Sequence, residues 1–313
     1  MKTTPVTPDD LARSVISVPP LARHRDLTIS NADNRALIQY LEDGGVRTLL
    51  YGGNANLYNI GATELPELLD MLEQEAGDDT WVIPSVGPDY GKLMDQLAVL
   101  KGRDFPTVMI LPLGFPSTGD GITTGIRRFA EALGKPVIVY IKSDGYLEPL
   151  QVAALADDGL VAAIKYATVR KDPGEDPYLR KLIDVVDRKC IVSGIGERPA
   201  IVHLRDFGLK GFTSGSVCVA PRGSMRLLAL LKARRYDEAA RVREAYLALE
   251  DQRDAKGPIR VLHDAVTLAG IADLGPMLPM ISNLEAGERD AVKAAAAALL
   301  EHDRALAREP LSA

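Results

Sequence analysis

The sequence has few of the residues that build metal centres and disulfide frameworks. Its 313 residues include two cysteines and four histidines. Cys190 and Cys218 are far apart in the chain and match no zinc-binding spacing, so we expect reduced thiols in the core. There is no HExxH motif and no acid-rich metal-binding cluster. We therefore predict no metal site and no cofactor.

Long hydrophobic runs and basic clusters are also missing. No stretch approaches the roughly 18 apolar residues of a membrane span, and residues 1–14 lack the apolar segment of a signal peptide. The net charge is −6, and the arginines of residues 232–243 are interleaved with acids, which disfavours nucleic acid as a partner. We expect a cytoplasmic protein that binds neither membranes nor nucleic acid.

The chain does contain an alternation of two patterns. Short apolar runs are each followed by a longer segment with apolar residues three and four positions apart, which is typical of buried parallel strands and their crossover helices. The runs span residues 14–21, 45–53, 81–87, 107–113, 136–142, 160–167, 190–196 and 211–217. Eight such units within about 220 residues predict an α/β fold, the (β/α)8 or TIM barrel.

A doubly wound open sheet is the alternative fold. Such a sheet usually has a glycine-rich phosphate turn after its first strand, whereas here the first run ends in VPPLARHRD (residues 18–26). After about residue 222 the strand patterns stop and helical patterns follow, broken at Gly257-Pro258 and in residues 273–280. We predict a barrel in residues 1–222 and a helical C-terminal extension in residues 223–313, with a loose end from residue 308.

One strand pattern ends on a charged residue. Leu160 to Ile164 form an apolar run that leads directly into Lys165. Active sites of (β/α)8 barrels lie at the carboxyl ends of the strands, and burial lowers the pKa of an ammonium group. A neutral lysine attacks carbonyl carbons and forms a Schiff base. The alternative is a structural lysine whose stem packs on the core while its ammonium reaches a carboxylate at the rim.

Two further features fall on the same face of the predicted barrel. Tyr140 stands near the end of the fifth strand pattern, where a phenol can transfer protons to and from a substrate; a core tyrosine is the alternative. The Gly52-Gly53-Asn54 turn after the second pattern either lets backbone N–H groups approach a carboxylate or simply ends the strand. The joint placement of these features with Lys165 favours the functional interpretation.

At these residues the chain resembles the dihydrodipicolinate synthase and N-acetylneuraminate lyase family of class I aldolases. The resemblance lies in the glycine turn after strand two, IVYIK with Tyr140, AAIK with Lys165, SGIG after strand seven and GFTSGSVCVAP near strand eight. It implies a homotetramer or homodimer whose strand-six lysine, here Lys165, forms a Schiff base with pyruvate or another 2-keto acid.

The resemblance also implies roles for the residues around the lysine. Tyr140 corresponds to the acid/base. Gly53 and Asn54 correspond to the turn that binds the substrate carboxylate, and Gly194 and Ile195 correspond to residues that line the pocket.

The chain departs from this family at positions that affect the substrate. Residues 52–56, GGNAN, stand where the family usually has a glycine, two hydroxyl residues, a glycine and a glutamate. Gly114 and Gly145 stand near the positions of the synthase's second tyrosine and its dicarboxylate-binding arginine. For the far end of the substrate, Tyr58, Lys142 and Tyr146 are rim candidates, with surface loop residues as the alternative interpretation of each.

These observations predict a Schiff-base-dependent lyase, an aldolase or dehydratase, that acts through Lys165 on a 2-keto acid, for which a pyruvate-linked compound and a 2-keto-3-deoxy sugar acid are the candidates. Three alternatives stay open. The protein is a keto-acid-binding homologue without catalysis, it is dihydrodipicolinate synthase proper, or it is a barrel with other chemistry in which Lys165 is structural.

Overall fold

Eight parallel strands form the centre of the computed structural model, which describes residues 1–308. Each predicted run contains one strand. The strands are β1 (Ile16–Ser17), β2 (Thr48–Tyr51), β3 (Trp81–Val86), β4 (Met109–Ile110), β5 (Val137–Ile141), β6 (Val161–Tyr166), β7 (Ile191–Ser193) and β8 (Thr213–Ser214).

The sheet closes on itself. β1 pairs in parallel with both β2 and β8, and a parallel bridge between Ser193 and Phe212 joins β7 to the segment that leads into β8. An open sheet would keep two unpaired edges, so the doubly wound alternative is wrong and the predicted (β/α)8 barrel is confirmed.

Helices separate the strands and surround the barrel. Several begin where the sequence offers a cap, since the side chains of Ser30, Asp89, Thr118 and Asp176 accept backbone hydrogen bonds at helix starts. The helices found in the described part of the chain are α1 (Pro8–Arg13), α2 (Asn31–Asp43), α3 (Leu65–Glu75), α4 (Tyr90–Leu100), α5 (Gly119–Leu133), α6 (Pro149–Asp157), α7 (Pro177–Val185), α8 (Glu197–Arg205), α9 (Pro221–Lys232), α10 (Tyr236–Lys256), α11 (Pro258–Leu268) and α12 (Ala286–Arg308).

The last three helices form the predicted helical extension. They share an apolar cluster that includes Leu249 of α10, Val261 of α11 and Leu299 of α12. The predicted boundary at residue 222 falls inside α9, the helix that follows β8, and the division into two units stays a prediction. The C-terminal end that was predicted to be loose begins at residue 308. Arg308 is the last residue of α12, and residues 309–313 lie outside the described residues.

The strands are shorter than the apolar runs that contain them. The run at residues 107–113 yields only β4, although the Leu111 N–H still donates 2.9 Å to the carbonyl oxygen of Val86. Pro112 has no N–H to continue the ladder. Across residues 1–308, no helix combines the length and hydropathy needed to cross a membrane.

Candidate active site at the carboxyl ends of the strands

Lys165 and Tyr140 lie side by side at the carboxyl end of the barrel. They are register partners on β6 and β5. The next residue, Tyr166, stacks on Tyr178 of α7 outside the barrel, so strand alternation turns Lys165 and Tyr140 inward. The Lys165 Nζ lies 4.5 Å from the centroid of the Tyr140 ring.

The Lys165 amine is buried without a counter-ion. Its side chain is 4 % exposed, and no carboxylate among residues 1–308 pairs with it. Burial, and secondarily the charge of Lys142, lowers the pKa of Lys165 to about 7. The structural-lysine alternative needs a carboxylate at the rim, and the structure provides no such partner. A large fraction of this amine is therefore neutral at neutral pH.

Tyr140 carries its proton under the same conditions. Burial raises the pKa of the Tyr140 phenol to about 12. The site thus pairs a neutral amine with a protonated phenol, which is the combination that a carbonyl addition with proton transfer requires.

Lys165→Met is expected to stabilise the protein, most strongly at acidic pH. The pKa of Lys165 falls from its ordinary 10.5 to about 7 in the fold, so the unfolded chain binds more protons between these values and wild-type stability rises with pH across that window. We expect the free energy of unfolding of Lys165→Met to exceed that of the wild type by on the order of 3 kcal/mol at pH 6, and by far less at pH 10.

Urea denaturation at the two pH values measures this difference. Lys142→Met is the matched control because Lys142 is exposed. An equal increase in the free energy of unfolding of both variants would show that the stabilisation does not come from removing the buried charge of Lys165.

The glycine turn after β2 leaves two backbone donors open. The Asn54 Nδ2 donates 2.9 Å to the carbonyl oxygen of Val18, which follows β1. The Asn56 N–H donates 2.9 Å to the Gly53 carbonyl oxygen. The N–H groups of Gly53 and Asn54 themselves meet no acceptor within residues 1–308. Two adjacent free donors suit the predicted carboxylate role, which stays a prediction.

The loop after β7 packs against the lysine. The Gly194 N–H donates 2.6 Å to the carbonyl oxygen of Tyr166. A Cβ at Gly194 would lie 2.7 Å from the Cβ of Ala167 and 3.0 Å from the Cγ of Lys165. The structure therefore places Gly194 beside the Lys165 stem, as a pocket-lining role requires.

Gly194→Ala is expected to slow adduct formation at Lys165 by at least about tenfold, because the added methyl group displaces the lysine stem. The rate of labelling by pyruvate and borohydride measures the effect. Gly287→Ala is the control, since a Cβ at Gly287 meets open space. Equal labelling rates in both variants, with both folded, would contradict the expected displacement.

A buried polar cluster behind this loop was missed by the sequence analysis. Glu197 opens α8 and accepts hydrogen bonds from the Oγ atoms of Ser214 and Ser224, at 2.8 and 2.6 Å. Its N–H donates 3.0 Å to the Glu250 carboxylate on α10, and burial raises the pKa of both acids. Arg253 donates 2.6 Å to the Ile195 carbonyl oxygen. The extension thus holds the strand-seven loop in place.

Two other polar residues are exposed to solvent. His24 is exposed and lines a separate cavity with Asp264 and Arg289. Lys142 is exposed beyond the end of β5 and acts on Lys165 through its charge alone.

Nearly the whole chain superposes on several solved structures. PhdJ, solved with a bound substrate intermediate, is 18 % identical over 97 % of this chain and 99 % of its own, with a TM-score of 0.82. Sialic acid aldolase from Ruminococcus gnavus is 15 % identical over 94 % and 99 %, with a TM-score of 0.81.

A third structure is YagE from E. coli K12, a prophage protein of the dihydrodipicolinic acid synthase family, solved with pyruvate. It is 19 % identical over 91 % of this chain and 98 % of its own, with a TM-score of 0.76. The chain shares their fold. Neither a protein-family model nor a curated protein matches the sequence. The expected resemblance to dihydrodipicolinate synthase family and sialic acid aldolase structures is confirmed for the fold, which by itself does not fix a reaction.

Proposed function

We propose that the protein is a divergent member of this aldolase family, a Schiff-base-forming lyase that acts on a 2-keto acid through Lys165. The observation that carries the proposal is a buried amine without a counter-ion, with its pKa lowered to about 7 and a phenol ring 4.5 Å away. Two of the similar structures agree with it, since the R. gnavus aldolase has a catalytic lysine and YagE was solved with pyruvate.

The first half of the reaction forms an iminium. The substrate carboxylate accepts hydrogen bonds from the N–H groups of Gly53 and Asn54. The Lys165 nitrogen attacks the keto carbon, and the Tyr140 phenol gives its proton to the departing hydroxyl, which leaves as water. The iminium cation then lies beside the Tyr140 phenolate, and each charge stabilises the other.

The second half breaks the carbon–carbon bond. The Tyr140 phenolate takes the proton from the aldol hydroxyl, an aldehyde leaves, and the bond electrons reduce the iminium to an enamine. The phenol then returns the proton to the enamine carbon. Water adds to the new iminium and gives one proton to the Tyr140 phenolate, its second proton passes to the nitrogen, and the C–N bond breaks to release pyruvate and the neutral Lys165 amine. Dehydration of a 2-keto-3-deoxy sugar acid would start from the same iminium.

Reductive trapping tests this function. Pyruvate and borohydride should convert the iminium to a secondary amine, which mass spectrometry of the intact protein and of its peptides places on Lys165. Wild-type protein that gains no mass with pyruvate or with any 2-keto-3-deoxy sugar acid would contradict the proposal.

One observation favours a keto-acid-binding protein without turnover as the second candidate. The turn at residues 52–56 has no hydroxyl side chain that could exchange a proton with Tyr140. An adduct on Lys165 together with no product from any keto acid would support this second candidate over the lyase.

A further inference from the structure

The strand-seven loop, residues 194–197, is held from two sides. Its inner side touches the reactive lysine, because a Cβ at Gly194 would lie only 3.0 Å from the Cγ of Lys165. Its outer side faces α10, where the Arg253 Nη1 donates 2.6 Å to the Ile195 carbonyl oxygen. A shift of this arginine is therefore passed through the loop to the stem of the lysine.

The outer contacts of the loop come from two side chains of α10. Pro199, four residues after Ile195, has no N–H with which to bond the Ile195 carbonyl oxygen. Gly196 has a φ of +97°, and a Cβ there would lie 2.5 Å from the Glu250 Oε1 and 2.8 Å from the Arg253 Nη1. Glycine lets the backbone come this close. Arg253 and Glu250 thus set the position of the loop.

Two carboxyl groups meet beneath the loop. Glu197 and Glu250 are both fully buried, and the Glu197 N–H donates 3.0 Å to the Glu250 Oε1. The Arg253 Nη1 lies 3.2 Å from the same oxygen. Two buried carboxylates beside one buried guanidinium would leave a negative charge without a partner, which is unfavourable. Burial, and secondarily the charge of Glu197, raises the pKa of Glu250 to about 8. The pair therefore keeps a proton at neutral pH.

The other groups around this pair include one further cation. The Arg198 Nε of α8 lies 3.7 Å from the Glu250 Oε2, and neither atom has a hydrogen-bond partner among residues 1–308. Arg253 and Arg198 both lower the pKa of Glu250, although burial outweighs them. The remaining groups are hydroxyls, a thiol and two acids that pair with the arginines, namely Ser214, Ser224, Tyr246, Cys218, Asp251 and Asp254.

We propose that Glu250 and Arg253 are positioning residues for the Lys165 reaction, and that they hold the strand-seven loop against the lysine only while the carboxyl pair keeps its proton. The inference rests on the proposed lyase function, because it concerns the geometry of the same site. The Arg253 Nη1 is shared between the Ile195 carbonyl oxygen and Glu250. An ionised carboxylate is the stronger acceptor, so loss of the proton draws the guanidinium away from the loop. The lysine stem then loses its support, and a misplaced nucleophile reacts more slowly.

The rate at which pyruvate and borohydride label Lys165, measured against pH, tests the inference. In the wild type we expect this rate to fall by at least about fivefold between pH 8 and pH 10, although the lysine itself is then neutral. The Tyr140 phenol, with a pKa raised to about 12, keeps its proton over this interval. Glu250→Gln has a similar shape and cannot ionise, so its rate should not fall.

Two further variants remove the contacts outright. Glu250→Ala and Arg253→Met should label at least about tenfold more slowly than the wild type at pH 7, whereas Glu250→Gln should stay within about threefold of it. In steady-state kinetics kcat should fall much more than KM, because the loop positions the nucleophile rather than the substrate. Glu244→Ala and Glu244→Gln, at an exposed position of α10, are the matched controls. Circular dichroism shows whether each variant is folded.

The outcomes separate the two proposals. If Lys165 is labelled but the wild-type rate does not fall above pH 8, or if Glu250→Gln shows the same fall, the inference is overturned and the lyase function stands. The same holds if folded Glu250→Ala and Arg253→Met label at the wild-type rate. If those two variants do not fold, the pH profiles of the wild type and Glu250→Gln decide alone. If no 2-keto acid labels Lys165, the lyase function fails and the inference fails with it.

Discussion

Lys165→Ala is expected to abolish the adduct trapped by pyruvate and borohydride and to lower turnover by at least about a thousandfold. The reason is that the proposed reaction needs an amine that is neutral, that does not donate to other groups of the protein, and that lies beside a proton donor. Burial also lowers the pKa of Lys92 and Lys232. Lys92, however, donates to two backbone carbonyl oxygens, and neither lysine lies against a tyrosine ring in the described structure.

Lys142→Ala is the matched control for this loss. Lys142 is exposed, and its charge contributes to the lowered pKa of Lys165. Its removal should therefore preserve the adduct and move the midpoint of the labelling rate above about pH 7. The wild-type rate should rise with pH through that value, as the amine loses its proton.

At each pH, the intact mass measures how much adduct has formed, and circular dichroism shows whether the protein is folded. An adduct that persists in Lys165→Ala, or that maps to Lys92, would place the chemistry on another amine. A labelling rate whose midpoint lies near the ordinary lysine pKa would instead support a structural role for Lys165.

The architecture was predictable because two patterns alternate eight times along the chain. A short continuous apolar run indicates a strand, and apolar residues three and four positions apart indicate the helix that follows. Helix α4 follows the apolar spacing of residues 90–100, because Asp89 caps its first turn and the spacing ends at Leu100. Strand lengths were less predictable. A short apolar run cannot show where the ladder hydrogen bonds stop, as the early end of β4 before Pro112 illustrates.

The adjacency of Tyr140 and Lys165 could also be predicted, since consecutive strands of a (β/α)8 barrel are neighbours and their ends meet on one face. The contact between Glu197 and Glu250 could not. It joins residues 53 positions apart and depends on how α10 packs against α8, about which local periodicity carries no information.

The glycine turn after β2 shows why motif matching alone was insufficient. Asn54 replaces a hydroxyl residue of the resembled family, and its side chain bonds the Val18 carbonyl oxygen rather than facing Tyr140. The turn can therefore still present its N–H groups to a carboxylate while providing no proton relay. Under the proposed function, proton transfer would then depend more heavily on Tyr140 itself.

Tyr140→Phe is accordingly expected to lower kcat by about 10²- to 10⁴-fold while leaving the Lys165 adduct detectable. The variant keeps the ring that lies 4.5 Å from the Lys165 Nζ and removes only the hydroxyl. The proposed binding of the substrate carboxylate by the Gly53 and Asn54 N–H groups should be unaffected, so KM should change much less than kcat. Steady-state kinetics and single-turnover trapping measure the two effects.

Tyr58→Phe is the informative comparison, because the pKa of the Tyr58 phenol is raised by burial and, secondarily, by the charge of Tyr140. If Tyr140 transfers the proton directly, Tyr58→Phe should retain a kcat within about tenfold of the wild type, and the acidic and basic limbs of its pH profile should stay in place. If Tyr140→Phe keeps the wild-type kcat, proton transfer does not pass through Tyr140. In that case a loss confined to Tyr58→Phe would assign the acid/base role to Tyr58.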